Sequence, residues 1–304
     1  MNTRLQHATV YSASAVAAGL AERWITVDGV RVRYLHGGDG PPLVLVHGLI
    51  ASAFSWRFNL PELARIRTVF ALDLPGAGES QRLPMDCSLR GLAKWLLNFC
   101  AACGVERFDL LGTSHGGAVA MKAAAMDAAG DKRIQRLLLV AAVNPWSRGP
   151  RGRIAALNLL PQFVTVPCLK ILAPPLRGFF LRRVYGDPRR IPPGTAETYA
   201  SYLRPPGSVE HTLRILRTWH QDLDELERAL PQIAHLPTLV LWGERDPAVM
   251  ASSAAELAKR LPNTRTVLLP GVGHLPYEEA PDNFNAAVIS FLTSAQHSAL
   301  GIQP

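Results

Sequence analysis

Residues Asp109-Leu110-Leu111-Gly112-Thr113-Ser114-His115-Gly116-Gly117 constrain this chain more than any other stretch. The apolar run Phe108 to Leu111 reads as a short buried strand, and Ala118 to Met126 reads as a helix. Between them lies Gly-x-Ser-x-Gly. That context places the serine on a sharp strand-to-helix turn, with Oγ lifted clear of the sheet and the helix N-terminus behind it. Gly112 and Gly116 stand where a Cβ would crowd the turn. Small residues gather in any tight turn, so the pentapeptide acquires meaning only from partners elsewhere in the chain.

Those partners require a sheet. Trp24 to Val27 and Val30 to Leu35 alternate in polarity around Asp28-Gly29, which predicts a hairpin with a two-residue turn. Leu43 to Val46 is an unbroken apolar run, as expected of a parallel strand buried on both faces. Further strands are expected at Thr68–Leu74, Arg136–Val143, Thr238–Trp242 and Arg265–Leu269. Helices are expected from an N-cap at Ser88 to Cys103, from Ser252 to Leu261 and from Pro281 to Leu292. Strands alternating with helices imply a mostly parallel α/β sheet, with the opening hairpin as its antiparallel edge. Between Pro145 and Pro231 the pattern changes to prolines and helical fragments: Ile154 to Leu160, Leu176 to Tyr185, Ser208 to His220 and Leu223 to Leu230.

With 304 residues, 48% of them hydrophobic, the chain can bury a large core. No apolar run reaches the roughly 20 residues of a membrane span. The first twenty residues lack a hydrophobic signal segment, and four cysteines suit a reducing compartment, so a cytoplasmic protein is expected. Cys100 and Cys103 are spaced as buried thiols of one helix, without a second pair to complete a metal site. No phosphate-binding loop or dinucleotide fingerprint is present; the chain is read as needing no cofactor and no metal. Nucleic-acid motifs are also missing, although the formal charge is +8. Residues 146–231 hold 13 Lys and Arg against 7 Asp and Glu. A solvated basic face is preferred there over membrane-surface contact. The sequence sets no oligomeric state.

Four predicted strands end in chemistry-bearing residues: His47-Gly48, Ser114, Asp246 and His274. In parallel sheets functional groups gather at such carboxyl ends. With Gly243-Glu244-Arg245-Asp246, Gly273-His274 and Asp73-Leu74-Pro75-Gly76-Ala77-Gly78-Glu79-Ser80, the chain resembles the α/β-hydrolase superfamily. The likeness is closest to its capped, epoxide-hydrolase-like and C–C-hydrolase-like branch, and it runs from Trp24 to Leu292. Ser…Asp…His is that superfamily's triad order. A serine hydroxyl needs a base to attack at neutral pH, which assigns nucleophile, acid and base to Ser114, Asp246 and His274. The resemblance implies an oxyanion hole from the backbone N–H groups of Leu49 and His115. His115 as a rival base is set aside, because adjacent side chains on a sharp turn diverge. His220, Asp109 and Asp222 are read as non-catalytic, and His47 and Asp73 as loop architecture.

The resemblance also divides the chain into core (1–145), helical cap (146–231) and core (232–304). A cap over Ser114 would exclude water and shape an acyl pocket. Phe163, Leu169, Leu172, Phe179, Phe180, Leu181 and Tyr185 are expected to supply apolar surface there, most of it as the cap's own core. A serine at the elbow argues against epoxide-hydrolase and haloalkane-dehalogenase chemistry, which the branch performs with an aspartate. The expected substrate is a small-molecule ester of a small to medium apolar acyl group. The alternatives are C–C hydrolysis of ring-cleavage diketo acids and a slow-turnover receptor of the same fold.

Overall fold

The hairpin alternation is realised in strands β1 (Ala21–Val27) and β2 (Val30–Gly37), joined through Asp28 (φ 50°) and Gly29 (φ 78°). Two positive φ values in a two-residue loop match the right-handed twist of the flanking strands. This computed structural model describes residues 19–147 and 161–299. It contains β3 (Pro42–Val46), β4 (Thr68–Leu72), β5 (Phe108–Thr113), β6 (Ile134–Val140), β7 (Thr238–Gly243) and β8 (Thr264–Leu269). The eight strands form one sheet in the order β1-β2-β4-β3-β5-β6-β7-β8. β2 pairs antiparallel with β1 and β4, and every other pairing is parallel, so the hairpin is the antiparallel edge. β6 ends before the predicted Val143 because Ala141 turns to φ 44°, which no strand continues.

Side chains leave a strand alternately to its two faces, and both faces here are covered. Val44 and Val46 join one apolar layer with Leu92, Trp95, Leu96 and Phe99 of helix α2 (Leu89–Ala102). These four recur at helical spacing on one face. Ser88 caps α2, its Oγ accepting from Gly91 N at 3.1 Å. Leu43 and Leu45 join the opposite layer, with Leu60 and Leu63 of α1 (Leu60–Ala64) and Phe284, Val288 and Leu292 of the final helix. That helix runs Pro281–Ala299, beyond the predicted end at Leu292. At the amino ends of the strands, buried Asp109 lies 3.5 Å from Arg67 Nε and 3.7 Å from Arg136 Nη1. Both arginines also donate to the carbonyl of Leu292, which pins the final helix to the sheet. Asp109 therefore stands at the end of β5 away from Ser114.

α3 (His115–Ala128) follows β5. After β6 the chain leaves the sheet and returns at β7. The described part of this excursion contains α4 (Gln162–Val184), α5 (Thr195–Ser201) and α6 (Ser208–Ala229). The predicted fragment Ile154 to Leu160 lies outside the described residues. α4 starts well before the predicted Leu176 and passes through Pro167, Pro174 and Pro175, which the sequence reading treats as breakers. Ser208–His220 and Leu223–Leu230 are one helix rather than two, because Gln221-Asp222 holds neither proline nor glycine. Phe179 and Phe180 depart from expectation more sharply: they are 55% and 57% exposed, beside exposed Arg182 and Arg183, whereas Leu181 and Tyr185 are buried. Over the nearly two turns from 179 to 185 only part of the surface faces inward: Leu181, Val184 and Tyr185 pack on the core, and Phe179 and Phe180 are left outside. Of the other expected apolar residues, the side chains of Phe163 and Leu172 lie outside the described set. The remaining helices are α7 (Ala251–Arg260), α8 (Pro276–Glu279) and α9, the final helix. No described helix is long and apolar enough to cross a membrane.

Candidate active site

Ser114 stands between β5 and α3 with φ 51° and ψ −123°, a backbone region that costs a non-glycine residue about 1–3 kcal/mol. The surrounding glycines hold it there. A Cβ on Gly112 would come within 2.4 Å of Gly116 O, one on Gly116 within 2.3 Å of His47 O, and one on Gly117 within 2.4 Å of the Ala142 methyl. Helix, elbow and β3 loop thus meet backbone to backbone. The Ser114 carbonyl accepts from Gly117 N and Val143 N, so the strained residue is bonded on both sides.

Ser114 Oγ lies 3.0 Å from His274 Nε2, and His274 Nδ1 lies 2.7 Å from Asp246 Oδ2. The carboxylate accepts a hydrogen bond from Nδ1–H, which leaves the Nε2 lone pair facing the serine hydroxyl. Asp246 is itself aimed: its Oδ1 accepts from Ala248 N (2.8 Å) and Val249 N (2.9 Å), so only Oδ2 is left for the imidazole. Trp242 Nε1 donates to Val249 O at 2.8 Å and fixes the same turn from the core side. The structure therefore brings together three residues spaced 132 and 28 positions apart in the sequence.

Gly48 packs against Ser114, where a Cβ would lie 3.0 Å from the serine Cβ. Leu49 follows, and His115 is the first residue of α3. Neither N–H donates to an acceptor among the described residues. Two idle donors beside a nucleophile are what an oxyanion needs. His47 organises this loop. Its Nδ1–H donates to Gly48 O (2.8 Å) and its Nε2 accepts from Leu74 N (3.0 Å), a pairing that only the neutral ring can make. Burial lowers its pKa in the same sense. Asp73 is likewise architectural, its oxygens accepting from Ala53 N and Glu79 N.

The rival residues are placed elsewhere. The His115 ring stacks on Trp219 of α6, with centroids 5.8 Å apart, and makes no bond to Ser114. Burial, with the charges of His47 and His211, takes its pKa down to about 3. His220 is half-buried outside the cleft described next, and Asp222 lies beside His115 and Trp219. Among the described residues no cluster of His, Cys, Asp or Glu could hold a metal ion.

A narrow cleft with room for little more than a water molecule opens against Gly48, Leu49 and His115, beside Ser114 rather than lined by it. Leu74, Leu92, Leu203 and Ile215 supply apolar walls, and Tyr202 and His211 supply polar ones; among the described residues no lysine or arginine lines it. Sequence reasoning missed His211 altogether. Its ring sits over Gly76, where a Cβ would collide at 2.4 Å, and its Nδ1 lies 3.6 Å from Cys87 Sγ. Burial, then Arg214 and Arg82, lowers its pKa to about 4, so the cleft presents a neutral imidazole. The only earlier trace was Pro75-Gly76 itself, a turn with no side chain to fill the space above it. Glu278 and Glu279, just beyond His274, were also missed.

The chain was compared with known proteins. Residues 41–281 match the family model described as alpha/beta hydrolase fold. The dihydrolipoyllysine-residue acetyltransferase component of the acetoin cleaving system of Pseudomonas putida is 31% identical, over 91% of this chain and 70% of that protein. The 2-hydroxymuconate semialdehyde hydrolase of Pseudomonas sp. (strain CF600) is 27% identical, over 91% of this chain and 96% of that protein. Among solved structures, a bacterial membrane phospholipase A superposes with a TM-score of 0.77 and 26% identity, covering 97% of this chain and 92% of that one. With its sheet order, its elbow and a family match across most of its length, the chain belongs to the α/β-hydrolase fold family.

Proposed function

We propose that this chain is a serine hydrolase cleaving carboxylic esters of small to medium apolar acyl groups through an acyl-enzyme on Ser114. The observation that carries the reading is the unbroken line Ser114 Oγ–His274 Nε2 (3.0 Å) and His274 Nδ1–Asp246 Oδ2 (2.7 Å) beside two idle N–H donors. His274 takes the hydroxyl proton as Oγ attacks the ester carbonyl. The N–H groups of Leu49 and His115 receive the developing oxyanion, each worth roughly 10²–10³-fold in rate. His274 then returns the proton to the departing alkoxide. Water attacks the acyl-serine by the same steps and releases the acid. The helices between β6 and β7 act as the cap, and the cleft beneath them takes the acyl chain.

C–C hydrolysis is the runner-up, supported by the relative named as a semialdehyde hydrolase. A diketo acid brings a carboxylate, which is best held by a guanidinium fork. The described lining residues include none, which favours an uncharged substrate. The test is a panel of short-chain p-nitrophenyl esters and vinylogous diketo acids, run beside labelling with a fluorophosphonate probe. Turnover of the esters and labelling should both vanish in Ser114→Ala. Labelling that survives the substitution would refute the nucleophile, and turnover of the diketo acids alone would refute the ester reading.

A further inference from the structure

The turn after His274 carries two adjacent carboxylates, both buried, and each is saturated by a different set of donors. Glu279 Oε2 accepts from Gly273 N (2.7 Å) and Gly186 N (2.9 Å), and its Oε1 accepts from Asp187 N (2.8 Å). Gly273 precedes the histidine, whereas Gly186 and Asp187 follow α4. One carboxylate thus joins the backbone of the histidine loop to the backbone of the helical insertion. The contact is direct as well: His274 N donates to Val184 O at 2.7 Å. It is also too close for side chains, since a Cβ on Gly273 would lie 2.3 Å from Gly186 N and one on Gly186 2.5 Å from Gly271 O.

Glu278 extends the junction to a third element. Arg57 grips it with two parallel bonds, Nη1 to Oε1 (2.9 Å) and Nη2 to Oε2 (3.1 Å). Tyr185 OH donates to Oε2 at 2.7 Å, and Tyr199 OH donates to Oε1. Burial, then the Glu278 charge, holds both phenols above their ordinary pKa, which keeps them donors. Arg57 Nη2 also reaches Thr195 Oγ1 at the start of α5 (3.1 Å), and Nη1 reaches Phe54 O in the turn beyond the Leu49 loop (3.1 Å). None of these groups lies in the line that runs from Ser114 through His274 to Asp246.

We infer that Glu278 and Glu279 are positioning residues that latch the helical insertion to the histidine loop, so that His274 is held in line with Ser114 only while the insertion is seated. The inference rests on His274 being the base of the proposed hydrolase. Lifting the insertion breaks the Val184–His274 backbone bond and strips two of three donors from Glu279. The loop that carries the imidazole is then free to move. Admission of substrate and alignment of the base become one event.

Glu279→Gln tests this with minimal change of shape. Both carboxylate oxygens accept backbone N–H groups, so an amide must set its NH₂ against one of them whichever way it is flipped. Amide hydrogen exchange at residues 184–187 and 273–274 should accelerate together, by tenfold or more. Fluorophosphonate labelling of Ser114 should slow by a similar factor, and kcat for esters should fall more than KM changes. Tyr185→Phe removes a single bond to Glu278 without removing a carboxylate and serves if Glu279→Gln does not fold. It should shift the same amides and the labelling rate in the same direction, about threefold. Unchanged exchange at either segment, or acceleration at one without the other, overturns the latch. A parent protein that neither labels nor hydrolyses esters refutes the hydrolase reading instead, while the exchange experiment still decides the latch.

Discussion

Lowering the pH from 7 to 5 should destabilise this protein by about 4 kcal/mol through two histidines of the cleft. His115 and His211 have native pKa values of about 3 and about 4, against an ordinary 6.5. Between 6.5 and those depressed values the unfolded chain binds protons that the native chain excludes. Stability from these groups is therefore fully present above pH 6.5 and is lost as pH falls. At pH 5 each native ring is still neutral, while its unfolded counterpart is almost wholly protonated, and integrating the linkage from pH 7 gives about 2 kcal/mol per histidine. His47, also lowered by burial, adds in the same direction. Urea unfolding followed by tryptophan fluorescence at pH 7, 6 and 5 measures the loss, and His211→Gln should reduce it by about 2 kcal/mol. A stability equal at pH 7 and pH 5, or a His211→Gln variant that declines as steeply as the parent, would show the reasoning to be wrong.

Asp246→Asn should lower kcat by about 10⁴-fold, because an amide in place of Oδ2 no longer fixes the Nδ1–H tautomer, as in the worked serine-protease case. Thermal unfolding of the variant should stay close to the parent's, and a small kinetic effect would place the acid elsewhere. Phe179 and Phe180, exposed beside Arg182 and Arg183, have the composition of a patch that contacts anionic lipid. Against the solvated basic face preferred from the sequence, this exposure leads us to propose weak binding there: sedimentation with phosphatidylglycerol vesicles should exceed that with phosphatidylcholine and fall in Phe179→Ser/Phe180→Ser, and equal sedimentation with both lipids counts against it.

The sheet and the Ser114, Asp246 and His274 line were legible because they depend on local signals. Unbroken apolar runs define strands such as Leu43–Val46, and glycines mark where the backbone crowds. The insertion was less legible, since its helices are defined by what they pack against. Pro167, Pro174 and Pro175 argue locally for an interruption, yet α4 continues through them. Phe179 and Phe180 read as core for the same reason, because hydrophobicity alone does not say which face of a helix is covered. His211 and Glu279 were invisible for a different cause. Their roles consist of contacts with Gly76 and Gly186, more than 90 positions away, and nothing in their own neighbourhood marks them.

The Asp109–Arg67–Arg136 cluster has a practical consequence. It fastens the last helix at the amino ends of the strands, whereas Ser114, Asp246 and His274 lie past the carboxyl ends. The five residue steps along β5 from Asp109 to Ser114 separate the two by roughly 16 Å at about 3.3 Å per residue. A unit charge at that distance changes a site energy by about 1 kcal/mol at an effective dielectric of 20, before salt screening. Charge redesign at the amino end, such as replacing the buried ions with an apolar set, would therefore act on thermal endurance far more than on the geometry around Ser114. The fold keeps anchorage and reactivity at opposite ends of the strands, and each can be tuned largely apart from the other.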